Sequence, residues 1–296
     1  MKLRPHYLAP LHEYTNFPFR MLAQKHGAKA TIVPLVSVTA LTRSHQRLEK
    51  LKKEMGKEEK FLGVQLIGKE PLEFLHSAKA IGENFPYVKW LDVNAGCPSR
   101  NAFGTGGGAA LLDKPETVRK IVSALRRSNY PISVKMRLAP TMEKTIAIAE
   151  AAQEADFLVV HGRTAKQYYS GAADWGAIKT VKESSEIPVI GNGDVKSLAQ
   201  GKKLVKEGFC DSFMVGRAAI SNPLIFEGKE AGAKEKKKEV FAEYVSLAGK
   251  YGTAELFDCR LKAFELFRSL PNIAQFRGAI AKAKTLEELT AMIAGF

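Results

Sequence analysis

The chain has 296 residues, 45% of them hydrophobic, enough for one large domain with a small one beside it. No apolar stretch is long enough to span a bilayer, and the opening MKLRPHYLAPLHEY lacks the apolar core of a signal peptide, so we expect a soluble cytoplasmic protein with no membrane partner. Forty-five Lys and Arg against 31 Asp and Glu give a formal charge of +14, which points to a polyanionic partner, nucleic acid first, although charge alone does not separate RNA, DNA and an anionic membrane.

Short apolar runs rich in β-branched residues alternate with longer segments of helical periodicity. In chain order the runs are His6–Pro10, Ala30–Val36, Phe61–Leu66, Val88–Asn94, Ile132–Arg137, Phe157–His161, Pro188–Gly191 and Ser212–Gly216. Pro115–Arg127 and Glu143–Glu154 show the amphipathic repeat, and Asp113 with Lys114-Pro115 reads as the cap and first turn of the former. Strands alternating with helices imply parallel pairing through right-handed crossovers. Eight such units in about 230 residues match a closed (β/α)8 TIM barrel, whereas an open doubly wound sheet would need fewer strands.

From Ala233 onward no strand-like run appears. Lys236–Gly249 carries Val240, Phe241, Tyr244, Val245 and Ala248 on one stripe, and Ala254–Leu270 carries Leu256, Phe257, Leu261, Phe264 and Phe267. Two shorter segments follow, the last opening on Thr285-Leu-Glu-Glu288, a capping-box pattern. We expect a barrel domain over 1–232 and a small bundle of three or four helices over 233–296, with the Lys234–Lys238 run on a solvated face. Residues 1–232 hold 34 basic and 23 acidic side chains and residues 233–296 hold 11 and 8, so the excess base is spread over both parts. A spread excess suits a broad nucleic-acid surface.

Active sites of such barrels lie at the C-terminal ends of the strands, and polar or special residues gather there. They are Ala9-Pro10-Leu11 after the first strand, Gln65 on the third, Asp92 to Pro98 closing the fourth, and Lys135 and Arg137 on the fifth. His161-Gly162-Arg163 closes the sixth, Gly191-Asn192-Gly193-Asp194 the seventh and Gly216-Arg217 the eighth. Glycines after strands seven and eight let backbone N–H groups approach an anion, and Arg217 adds planar donors, so Gly191, Gly193, Gly216 and Arg217 read as a phosphate site; the alternative is that the glycines only make tight turns. Lys135, flanked by Val134 and Met136, should point into the barrel and needs an anionic partner. A reduced flavin offers one at its N1/O2 edge; Asp92 is the other candidate. Cys97 sits in a Gly-Cys-Pro turn past a strand, where an ordinary thiol, protonated at neutral pH, can act as a general acid. Nucleophile and core filler are the competing roles, and the latter is assigned to Cys210 and Cys259; three scattered cysteines make no disulfide framework. His161 at a strand end could bind phosphate or substrate.

Two apparent motifs fail. Gly104-Thr-Gly106-Gly-Gly-Ala109 matches a loose dinucleotide fingerprint but lies ten residues beyond its strand, so it reads as a flexible rim loop. His12-Glu13 lacks the second histidine of a zinc motif, and no metal-ligand cluster is expected.

Taken together, these segments resemble the tRNA-dihydrouridine synthase family over about residues 7–227, and more weakly beyond. The resemblance is carried by Ala9-Pro10, Thr15-Asn16, Phe19-Arg20, Val64-Gln65-Leu66, Asp92-Val-Asn-Ala-Gly-Cys-Pro98 and Gly108-Ala-Ala-Leu-Leu112. Val134-Lys-Met-Arg137, His161-Gly-Arg-Thr164, Ser170-Gly-Ala-Ala-Asp-Trp175, Ile190-Gly-Asn-Gly-Asp194 and Val215-Gly-Arg-Ala-Ala219 complete it. It implies FMN bound by Ala9, Pro10, Leu11, Gln65, Lys135, His161, Asn192, Gly193, Asp194, Gly216 and Arg217. Cys97 would be the catalytic acid, and Asn94, Arg137 and Arg163 would hold the target uracil or its ribose-phosphate. It further implies NADPH as reductant, hydride transfer to uracil C6 with protonation at C5, tRNA as partner of the helical tail, and a monomer by default. Two departures stand out. Where the family usually reads A-P-M-A-G-V-T-D, this chain has Ala9-Pro-Leu-His-Glu-Tyr-Thr-Asn16, and where it often has Thr-Glu-Met, this chain has Val33-Pro-Leu-Val36. A small-molecule flavoenzyme of dihydroorotate dehydrogenase type is the first alternative, opposed by the basic tail. A tRNA-binding protein without catalysis is the second, favoured by the altered first loop.

Overall fold

The computed structural model describes residues 2–296 apart from Thr105, Asn272 and the side chains of Asn101 and Phe103. Its eight strands are β1 His6–Leu8, β2 Thr31–Ser37, β3 Leu62–Ile67, β4 Val88–Ala95, β5 Ile132–Leu138, β6 Phe157–Thr164, β7 Val189–Asn192 and β8 Ser212–Val215. All pair in parallel, in sequential order from β2 to β8, with β1 beside β8. The Leu8 N–H donates to the carbonyl of Ala30, just before β2, at 2.9 Å, and so the sheet closes on itself. This is the (β/α)8 barrel. Each expected strand is present, and β6 runs three residues past His161, so that Gly162 and Arg163 belong to it.

Side chains of a strand alternate between its two faces, which assigns the barrel its contents. Val64 and Leu66, Leu91 and Val93, and Val134 and Met136 join the outer core shared with the helices. The inward rows begin apolar: Tyr7, Ile32, Trp90, Phe157, Ile190 and Met214 pack together, with Tyr7 edge-on to Trp90 at 6.2 Å. Gly63 makes room for that plug, since a Cβ there would lie 2.4 Å from the Trp90 ring. One step further along each strand the inward rows turn polar, with Gln65, Asp92, Ser133, Lys135, His161 and Asn192. The barrel is therefore packed at its base and chemically equipped at its C-terminal end.

Among the described residues four helices follow β8 and its short helical turns: Lys234–Lys250, Leu256–Phe267, Ile273–Lys282 and Leu286–Gly295. Their apolar faces continue the outer core of the barrel. Polar links fix the same contact. Asn16 Nδ2 donates to Tyr244 Oη at 2.9 Å and Asp258 Oδ2 at 2.8 Å, and Lys262 Nζ donates to the carbonyl of Glu13 at 3.2 Å. Half of the capping box expected at Thr285 forms: its hydroxyl accepts from Glu288 N–H at 3.2 Å, but the Glu288 carboxylate accepts from the N–H of Lys284, one residue before the cap, at 2.7 Å. Among the described residues no helix is long and apolar enough to cross a membrane.

Three local expectations are corrected. Lys114, not Asp113, holds the cap position before Pro115, without a side-chain bond, because Asp113 turns to Lys144 Nζ at 2.8 Å. The glycine-rich rim segment is not one loop: a helix at Arg100–Gly104 and a 3-10 turn at Gly108–Asp113 flank it, and Thr105 lies outside the described residues. Lys237 is not on a solvated face but buried, its ammonium donating to the Leu266 carbonyl at 2.6 Å.

Candidate active site

The polar rows open into a cavity of about 1150 Å³ between the barrel mouth and the helical tail. Beneath it runs a hydrogen-bonded chain of buried side chains, of which Gln65 and Asn94 reach the cavity itself. Ser133 Oγ donates to Asp92 Oδ1, Gln65 Nε2 donates to Asp92 Oδ2 at 2.7 Å, and Asn94 Nδ2 donates to Gln65 Oε1 at 2.8 Å. Asn94 Oδ1 then accepts from the backbone N–H groups of Gly96 at 3.1 Å and Cys97 at 2.9 Å. Burial raises the Asp92 carboxyl above the usual carboxylate range, against the pull of Ser133, Gln65 and Lys135.

Cys97 is half-buried on the cavity wall, its thiol 3.3 Å from Ser99 Oγ. The turn that carries it lies tightly on its neighbours. A Cβ at Gly96 would come within 3.0 Å of the Arg137 nitrogen, and one at Gly108, whose φ is +60°, within 2.7 Å of the Cys97 carbonyl. Both glycines answer a close backbone approach.

The opposite wall is cationic. Lys135 points inward, as its apolar flanks require, and its Nζ donates to Asn192 Oδ1 at 3.2 Å; among the described residues it forms no ion pair with Asp92. Burial, with Arg137 nearby, lowers the Lys135 ammonium from the ordinary lysine range. His161 is driven far below its usual value by burial and by Lys135, Arg137, Arg163 and Arg217, so its imidazole is neutral. Arg137 holds the loop after β6 through the carbonyls of Thr164 and Tyr168, and its guanidinium lies 5.6 Å from the Tyr169 ring. Arg217 covers the same ring at 4.5 Å. Asp194 is the one carboxylate of this wall among these groups, and it is shared between Arg163 and Arg217 at 2.5 and 3.0 Å.

The structure brings Ala9, Pro10, Leu11, Gln65, Asn94, Cys97, Lys135, Arg137, His161, Asn192, Gly193, Asp194, Gly216 and Arg217 to this one cavity. Arg163 stands apart. Its side chain is 2% exposed and is spent on the carbonyls of Ser170 and Gly171 and on Asp194, so it braces the wall from behind and faces only a side recess shared with Arg217. Gly191 also leaves the anion site: it faces outward, where a Cβ would meet the Trp175 ring at 2.4 Å. Gly193 remains, with φ +124° and space taken by Ala173 and His161. The two sequence departures are explained by packing. Tyr14 and Glu13 carry the first loop to Lys262 of the tail, and the Pro34-Leu35 pair forms a bulge between Val33 and Val36 that lines the cavity with Leu35. Sequence reasoning did not single out Tyr169, Lys196 or Ser133; paired tyrosines beside a Ser-Gly turn were the available signal for the first.

The sequence model of one protein family, described as dihydrouridine synthase (Dus), matches residues 7–293. A probable tRNA-dihydrouridine synthase of Aquifex aeolicus is 31% identical over 97% of this chain and 94% of its own length. One from Rickettsia conorii is 33% identical over 92% and 87%. A tRNA-dihydrouridine(20a/20b) synthase [NAD(P)+] of Schizosaccharomyces pombe is 31% identical over 76% and 69%. Among solved structures, a variant morphinone reductase in complex with tetrahydroNAD superposes with a TM-score of 0.56 over 76% of this chain and 85% of that one, at 10% identity, a likeness of fold.

Proposed function

The chain belongs to the dihydrouridine synthase family, and from that premise we propose that the cavity holds FMN, that NADPH reduces it, and that Cys97 donates the proton of the reaction. The reaction is the flavin-dependent reduction of uridine in tRNA to dihydrouridine, with a nicotinamide cofactor as the source of electrons. The residues present fit a flavin mononucleotide. The cavity is large enough for a cofactor and a base together, and its barrel side offers Lys135, Arg137 and Arg217 beside Asp194, which two guanidiniums already neutralise, while Glu230 and Glu265 line it elsewhere. Gly193, Gly216 and Arg217 suit the phosphate, and Asn192 and neutral His161 can bond the polar edge of the ring. Lys135 would stabilise its anionic reduced form.

Bound there, the flavin would supply the hydride for C6 of the uracil. Cys97 gives its proton to C5, so that the C5–C6 π bond is replaced by two C–H bonds, and the thiolate recovers a proton from solvent. Asn94 and Arg137 orient the base, which must leave its stack to reach the cavity. Residues 233–296 form the second wall through Lys237, Arg268 and Ser269, which favours their role in gripping tRNA.

The observation that carries this reading is that the Cys97 thiol and the Lys135 ammonium open into one cavity with a positive wall. Incubation with NADPH and tRNA lacking dihydrouridine, followed by nucleoside mass spectrometry, tests it. A product about two mass units above uridine, lost in Cys97→Ala, is expected. A yellow, NADPH-reducible protein that converts free pyrimidines and not tRNA would overturn it.

A further inference from the structure

Two backbone donors stand at one end of the buried chain beneath the cavity, the N–H groups of Gly96 and Cys97. At the other end stands a carboxylate, which in its ionised form only accepts. Between them lie two side-chain amides, Asn94 and Gln65, whose oxygen and nitrogen ends are assigned by their partners. Only one orientation of each satisfies both ends. Asn94 must turn its oxygen to the Cys97 turn and its nitrogen to Gln65; Gln65 must then turn its oxygen to Asn94 and its nitrogen to Asp92. Reversing Asn94 would set its NH2 against the N–H groups of Gly96 and Cys97, and reversing Gln65 would set its oxygen against the Asp92 carboxylate, where Asp92 and Gln65 are at most 1% exposed and water could not repair it.

We propose that Asp92 is a positioning residue, whose carboxylate fixes the orientation of the Gln65 and Asn94 amides and thereby holds the Cys97 turn in place. Ser133 orients the second carboxylate oxygen, and Lys135, on the same strand as Ser133, favours the ionised form. The charged groups facing this chain are Lys135 and, beyond it, Arg137. Asp92 itself does not line the cavity and acts only through its neighbours. The kinetic part of this proposal rests on the reading of Cys97 as proton donor; the geometric part does not.

Three variants, with Cys97→Ala as control, test it by two readouts. One is hydrogen exchange in the peptide that contains Gly96 and Cys97; the other is single-turnover dihydrouridine formation as a function of pH. Asp92→Asn can still offer an oxygen to Gln65 while its amide donates to Ser133, so exchange stays as in the parent and turnover within about threefold. Asp92→Leu leaves Gln65 without its acceptor: the two amides exchange faster, and kcat falls by about a hundredfold with KM for tRNA unchanged. Gln65→Glu is close in shape and keeps the test alive should the leucine variant fail to fold. At low pH the introduced carboxyl can carry one proton to Asp92 and still accept from Asn94, reproducing the parent pattern. As pH rises that proton is lost and two carboxylates face each other, so protection and turnover fall, turnover by about tenfold per pH unit relative to the parent.

Unchanged exchange in both Asp92→Leu and Gln65→Glu overturns the proposal. So does a Gln65→Glu pH profile of the same shape as the parent's. If Cys97→Ala keeps its activity, the proton-donor reading fails while exchange still reports on positioning. If Cys97→Ala is inactive and exchange does not respond, the reading stands and the positioning role falls.

Discussion

Asp92 has no exposed surface, and burial raises its carboxyl above the ordinary carboxylate range despite the hydrogen bonds from Ser133 and Gln65. The sign of the consequence follows. In the unfolded chain the group ionises at the usual low pH, whereas in the fold it holds its proton longer. The native state therefore binds more protons between the two values, and this group's contribution to stability falls as pH rises through them. Above that window the folded protein carries a charge that works against it. An amide of the same shape carries none. Asp92→Asn is accordingly expected to raise the melting temperature at neutral pH, with the gain shrinking as pH falls into the ordinary carboxylate range and gone below it. Scanning calorimetry of both proteins from pH 4 to pH 8 checks this, and a gain independent of pH would remove ionisation as its cause. The gain would come from the lost charge alone, because the amide keeps the oxygen that Gln65 donates to.

At the scale of elements, β3 and β4 show how a strand divides its labour between packing and chemistry. Gly63 and Gln65 face inward two residues apart; the first yields space to Trp90, and the second joins the floor of the cavity. Gly63→Ala would push a methyl into a fully buried indole that has nowhere to go, an overpacking that costs about 1–3 kcal/mol. Thermal unfolding should show a loss of several degrees, with dihydrouridine formation by the folded enzyme close to the parent's. Lost activity at unchanged stability would mean that the base plug and the site are coupled. Such positions also mark what was legible in the sequence. The eight runs and the polar or special residues at most strand ends follow from short β-branched apolar stretches and from breaks at Gly and Pro, which are local. Lys135 could be placed inward because Val134 and Met136 had to go outward. Arg163, Gly191 and Lys237 could not be placed, since Ser170, Trp175 and Leu266, the partners that decide their direction, lie outside the strand or helix that carries each of them. The bulge at Pro34-Leu35 and the reach of Lys262 to Glu13 are likewise tertiary choices with no periodicity to announce them.

For the whole molecule, the helical tail is a wall of the cavity as well as an addition to the barrel. Lys262, 1% exposed and ringed by Tyr14, Phe19 and Tyr244, ties it to the loop after β1, and the cavity runs without interruption from Cys97 to Arg268. A free pyrimidine would fill only the barrel end of that space. A nucleotide embedded in a folded RNA would bring its neighbours' phosphates against the tail, where Arg268 presents a side chain 70% exposed and paired with Glu265 at 3.5 Å. Arg268→Ala should then weaken tRNA binding roughly threefold or more and lower the salt slope of log Kd by about one, the signature of one lost phosphate contact. Turnover at saturating tRNA should be unchanged, because Arg268 is distant in sequence and role from the proton donor. Titration of the protein with tRNA at several salt concentrations, alongside kcat and KM, separates the outcomes. An unchanged slope with unchanged KM would place the RNA elsewhere and leave the tail as a brace for the first loop. A reduced kcat would instead mean that the tail shapes the reacting end of the cavity through Lys262 and Tyr14, and that barrel and bundle act on the base as one unit.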